Sequence, residues 1–114
     1  LVNSSGVVAA DVTGVGTARS GFSGAGYGFD KGIFAYGYTN THVSMSNLVS
    51  NSGVIANDTT GVGTARNKVA AASYGLDKVI FAYGNSGSFT AISNLVSNSG
   101  VVSADVSGVG TWWR

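Results

Sequence analysis

"LVNSSGVVAADVTGVGTAR" occupies residues 1–19 and returns as "LVSNSGVIANDTTGVGTAR" at 48–66 and "LVSNSGVVSADVSGVGT" at 95–111. The period is about 47 residues, and roughly 26 of 47 positions agree between the first two copies. Leu1, Leu48 and Leu95 align, as do Asp11, Asp58 and Asp105, while Asp30 matches Asp77 and Tyr36 matches Tyr83. The chain is therefore one repeat domain over 1–114, with copies at 1–47, 48–94 and a partial third at 95–114.

Each copy reads as strands. Glu is absent, and the apolar stretches carry Val, Ile, Phe, Tyr and Thr between glycine-containing turns. In the second copy the spacing predicts "KVAAASYG" (68–75), "KVIFAYG" (78–84), "SFTAISNLV" (88–96) and "GVVSADV" (100–106) as four consecutive strands. Short turns between them imply an up-and-down antiparallel sheet. In "KVIFAYG", strict alternation puts Val79, Phe81 and Tyr83 on one face and Ile80 and Ala82 on the other. Both faces are then apolar, so the sheet needs a cover on each side, as a propeller blade has. The small residues of "VAAAS" and "FSGAG" suit the crowded place near an axis where blades converge.

Composition bounds the rest. The chain of 114 residues has 18 Gly, no Pro and no Cys, and its net charge is +1. That balance offers no basic face for nucleic acid and no polybasic membrane anchor. No apolar run approaches a membrane span, and no signal peptide is visible. A chain starting at Leu1 reads as processed or excerpted.

"TARNKVAAASYGLDKVIFAYG" and "TARSGFSGAGYGFDKGIFAYG" resemble the kelch pattern. In that pattern an Arg follows the inter-blade crossing, before a small-residue inner strand, a tight turn and an aromatic-bearing second strand ending in glycine. The resemblance covers nearly the whole chain and implies a β-propeller. It departs from kelch repeats in carrying a single glycine, Gly37 or Gly84, where a pair is usual, and in lacking the late Trp of the repeat. Similar near-identical arrays occur in environmental phage and bacterial proteins, which makes a virion-associated or extracellular setting one expectation.

The expected fold is thus all-β: a propeller of four-stranded antiparallel blades, about two per chain. Propellers close with about 4 to 8 blades, so two per chain leave outward apolar faces that identical chains would cover about a cyclic axis. A homotrimer gives six blades and is the first expectation; a tetramer is the second. The alternative is that the chain is a fragment of a longer array. Residues 1–17 and 95–111 are one segment twice over, so one copy should close a chain junction while the other is displaced or doubled against an edge. Trp112 and Trp113 stand where Ala65 and Arg66 stand in the second copy, as a plug for the junction or a platform for a sugar ring.

Little catalytic chemistry survives inspection. "GVGTAR" and "GAGYGFD" lack the third glycine of the dinucleotide fingerprint. His42 is the only histidine and aligns with Phe89, which favours packing over a Ser–His–Asp site. Histidine–cysteine metal sites are excluded by count, one carboxylate per "DVTGVG" loop is thin for calcium, and no cofactor is implied. Asp11, Asp58 and Asp105 read as turn caps. Together with Arg19, Asp30, Lys31, Arg66, Asp77 and Lys78 they are candidate inter-blade residues, forming ion pairs and loop hydrogen bonds. Tyr38, Asn40 and His42 lie in the loop that differs most between copies; with Trp112 and Trp113 they are the candidate ligand contacts. Asn3-Ser-Ser and Asn57-Asp-Thr match the glycosylation sequon. The expectation is a non-enzymatic scaffold that binds itself, with a multivalent lectin as the rival.

Overall fold

Two tight turns organise the chain. In a computed structural model, which describes residues 1–110, Gly28 and Phe29 take φ of +58° and +73°, and Gly75 and Leu76 take +60° and +74°. Each pair reverses the chain so that Tyr27 lies opposite Lys31 and Tyr74 opposite Lys78. The result is two antiparallel three-stranded sheets, with no helix among the described residues. The first contains β1 (Ser23–Tyr27), β2 (Lys31–Tyr38) and β3 (His42–Val49) in that order. The second repeats it with β4 (Ala70–Tyr74), β5 (Lys78–Ala82) and β6 (Ser93–Val96).

A further segment lies along the outer edge of each sheet. Bridges Ser46–Thr59 and Val49–Ile55 hold one segment on β3; Ser93–Val106 and Val96–Val102 hold its copy on β6. These contacts are isolated bridges rather than continuous strands. The turn that leads into each segment occurs three times. Gly6, Gly53 and Gly100 donate their N–H to the carbonyls of Asn3, Ser50 and Ser97, and Val2 pairs with Val8 as Val49 pairs with Ile55.

The core lies between the sheets. Tyr27, Ile33, Ala35 and Tyr36 of the first meet Val69, Val79, Phe81 and Val96 of the second, all buried. β1 runs against β4 and β5, and the approach is close: Ser73 Oγ donates to the Gly26 carbonyl across the gap at 2.8 Å, and Gly28 N–H to Asp77 O at 2.7 Å.

The alternation of the second strand breaks at its end. Tyr36 has φ +65° and Gly37 +120°, where the β2–β3 register shifts. Tyr83 and Gly84 repeat this at +66° and +101°. A left-handed residue in a strand makes a bulge and swings its side chain to the other face. Strict alternation would group Tyr83 with Val79 and Phe81; instead it borders a groove with Ile80 and Ala82. Tyr36, correspondingly, joins Ile33 and Ala35 and meets Phe81 edge-on, the ring centroids 5.4 Å apart. A positive φ in a bulky residue is costly, of order 1 kcal/mol, and the buried ring contact offsets it.

Candidate functional site

The recurring aspartates act over a long sequence distance. Thr17, in the loop ahead of β1, donates its N–H to Asp58 Oδ1 at 3.1 Å and its hydroxyl to Oδ2 at 2.5 Å. Asn47 of β3 donates to the same Oδ1 at 2.8 Å. The second unit is identical: Thr64 N–H and hydroxyl reach Asp105 at 3.0 and 2.6 Å, and Asn94 reaches it at 2.9 Å. Each carboxylate therefore ties the segment entering a sheet to the segment leaving it. It accepts a backbone N–H, as a turn cap does, but from a residue 41 positions away. The Thr17 hydroxyl, Asn47 and the Thr17 N–H hold the Asp58 carboxyl below its usual range. Burial pushes Asp105 up, but the hydrogen bonds from Thr64 and Asn94 outweigh it and the net direction is down. Asp11 makes no such contacts among the described residues.

The arginines complete each clamp. Arg66 is fully buried. Its Nε donates to Tyr83 O at 2.8 Å, Nη1 to Thr64 O at 2.9 Å and Nη2 to Asn94 Oδ1 at 2.7 Å. Its guanidinium lies 4.4 Å over the Tyr36 ring of the preceding sheet, a cation–π contact across the gap. The Tyr36 hydroxyl donates to Val62 O at 3.2 Å, and burial pushes this phenol up. Arg19 repeats the first two bonds, to Tyr36 O and Thr17 O, without a tyrosine in front of it. The carboxylates of Asp30 and Asp77 stay within their own units. Each pairs with the adjacent lysine, Lys31 at 2.9 Å and Lys78 at 3.0 Å, and accepts from Asn51 or Asn98.

Thr17, Thr64, Asn47 and Asn94 escaped selection from the sequence although each recurs at the repeat spacing. Recurrence was the available signal; nothing local marks a neutral side chain as a long-range partner.

The two sheets, repeats of one another in sequence, bury opposite faces. Call the face of the first sheet that meets the second its front, and the face of the second that meets the first its rear. The front carries Tyr27, Ile33, Ala35 and Tyr36. Its counterpart on the second sheet is less covered: Tyr27 is 3% exposed and Tyr74 is 37%, while Ile80, Ala82 and Tyr83 are half-buried. The rear carries Val69 and Phe81, at 7% and 0%. Its counterparts on the first sheet, Phe22 and Phe34, are open at 47% and 38%. A groove of about 490 Å³ borders Ala71, Ile80, Ala82, Tyr83, Ala91 and Val109 on the open front. One of about 250 Å³ borders Val15, Arg19, Phe22, Phe34 and Ile55 on the open rear.

The candidate ligand residues gather at one hairpin end. Tyr38 pairs with His42 across β2 and β3, their rings edge-on at 5.2 Å, and Asn40 is exposed at the tip between them. The second unit has a different tip, closed by Asn85 Oδ1 accepting the Gly87 N–H at 2.8 Å. Trp112 and Trp113 lie outside the described residues. No family model matches the chain, and no curated protein matches it.

Proposed function

We propose that the chain is a non-enzymatic, self-assembling β-propeller module, in which identical chains close a ring and present a structural or interaction scaffold. In this reading each three-stranded sheet and its bridged outer segment form one four-stranded blade, similar to a kelch repeat. Two blades come from each chain, giving six in a homotrimer, with an eight-bladed tetramer as the next closure.

One observation carries the proposal. The open front of the second sheet has the residues that the first sheet buries, and the open rear of the first has the residues that the second buries. The chain thus contains one copy of an interface and, at its two ends, the two halves of another. Because the halves differ, contact between chains is head-to-tail, which forms a ring when the rotation closes. Across that contact Arg19 of one chain would face Tyr83 of its neighbour, as Arg66 faces Tyr36. Aromatic and aliphatic side chains supply the attraction, at about 25 cal/mol per Å² of apolar surface covered.

Light scattering across a dilution series tests this, with three times the chain mass expected. Phe34→Asp places a charge on a face that is open in the single chain, so it should leave the fold intact and abolish assembly. A folded wild-type chain that stays single at every concentration overturns the proposal.

The lectin reading has its own observation: the exposed Tyr38–His42 ring pair beside Asn40 combines a stacking surface with hydrogen-bonding groups. Once per chain, it would recur around a ring and gain avidity. A glycan array on wild type and Tyr38→Ala separates a lectin from a scaffold.

A further inference from the structure

We infer that the C-terminal copy closes each chain junction and that residues 1–13 are a built-in competitor, covering in the single chain the place that a second copy's residues 95–107 take on assembly. This rests on the head-to-tail reading above and adds to it which of two identical segments is displaced.

The contact that defines the place occurs twice. Gly100, at φ +84°, lies so close to the preceding copy that a Cβ there would fall 2.9 Å from Leu48 Cδ2. Gly53, at φ +81°, stands in the same relation to Leu1, 2.6 Å from Cδ2. Leu1 therefore sits on the first sheet's outer turn as Leu48 sits on the second's. The segment around it keeps the same fold: Ala9 N–H donates to Leu1 O at 2.7 Å, as Ala56 does to Leu48 O at 2.9 Å and Ser103 to Leu95 O at 2.8 Å. An apolar cavity of about 500 Å³ between this segment and the first sheet borders Leu1, Val8, Val12, Val15, Val54 and Ile55. In a ring, the neighbour's Leu95 belongs on Gly53. Leu1 and Leu95 cannot both be there.

Attachment decides which gives way. Residues 95–107 continue from β6 and are held to it by the Val96–Val102 and Ser93–Val106 bridges and by Asn94 and Thr64 on Asp105. Among the described residues, residues 1–13 bridge only to themselves, Val2 to Val8. Asp11 has no clamp among the described residues, every residue from 1 to 13 is exposed, and a Cβ at Gly14 would meet nothing within 4 Å, whereas Gly108 lies against Ala91. Thr17, by contrast, is held on Asp58. The exchange point thus falls near Gly14, after the neighbour's Ser107 and before Thr17.

A competitor lowers apparent affinity by the fraction of chains it keeps closed. The test compares the full chain with one lacking residues 1–13, by sedimentation across a concentration series. The truncated chain should assemble at a concentration lower by about tenfold or more, and a synthetic peptide of residues 1–13 added in trans should reverse the gain. Full-length Leu1→Asp, which weakens only the seat on Gly53, should shift in the same direction and keeps the test open should the truncated chain fail to fold. Assembly of the full chain with no tightening in either variant overturns the inference and leaves the ring. Loss of assembly on truncation, in a chain whose circular dichroism is unchanged, overturns it in favour of the N-terminal copy as the closing segment. Absence of assembly in every form removes the head-to-tail reading and this inference with it.

Discussion

The first and second sheets have the same strand order, the same left-handed turn after the first strand and the same positive-φ pair at the end of the second, yet Phe34 is open where Phe81 is sealed, and Tyr74 is open where Tyr27 is sealed. The side chains do not account for this, because the residues are the same or similar at matched positions. Order along the chain does. Each sheet carries apolar side chains on both faces, and within this chain each faces a complete sheet on only one side. Burial here belongs to the pairing of units and not to the unit.

That contrast is open to measurement, and the largest test is at its centre. Phe81→Ala should destabilise the dispersed chain by about 3–5 kcal/mol, the usual cost of emptying a buried aromatic site. Phe34→Ala, measured in the same dilute solution by denaturant unfolding, should cost under about 1 kcal/mol. Equal losses would mean that the first sheet's rear is covered in solution. Raising the protein concentration then sharpens the comparison, because assembly should make the Phe34 substitution costly as well.

The arginines make the same comparison on a smaller scale. Arg66→Met removes a buried cation whose three acceptors, Tyr83 O, Thr64 O and Asn94 Oδ1, would be left unsatisfied. A loss of about 2–4 kcal/mol in unfolding free energy is expected. Arg19→Met breaks two similar bonds at a half-exposed site whose ring contact is the more distant Phe22, at 5.9 Å, and its loss in the dispersed chain should be clearly the smaller.

Acid provides the smallest effect. Asp58 and Asp105 both have carboxyls held below their ordinary range. A carboxyl lowered by folding adds stability above its unfolded value of about 4. That contribution fades as pH falls below this value toward the folded one. Thermal melting should therefore decline below about pH 4. Asp58→Asn or Asp105→Asn should flatten that decline. An acid profile that neither substitution alters would show that the Thr–Asn hydrogen bonds do not hold these carboxylates in solution.

Much of this was legible beforehand and some was not, for reasons that can be located in particular residues. Recurrence at about 47 residues marks the units, and β-branched and aromatic runs between glycine turns mark the strands, because both depend on local chemistry. Sequence reading places the second strand of the later copy at 78–84, and β5 runs Lys78–Ala82; the turns around Gly28 and Gly75 fall where glycine is written. The partner of Asp58 is another matter. Thr17 is 41 positions away, and only the docking of the entering loop on the departing segment brings them together. Tyr83 shows the same limit within a single strand, since alternation assigns its face until the left-handed bulge reverses it. From the sequence alone come the repeat, the all-β class and the apolar character of both faces of each sheet, because periodicity and side-chain chemistry are local. Which face is sealed, which aspartates are clamped and where Leu1 sits are decided by tertiary structure, because each depends on a neighbour that the strand's own residues do not specify.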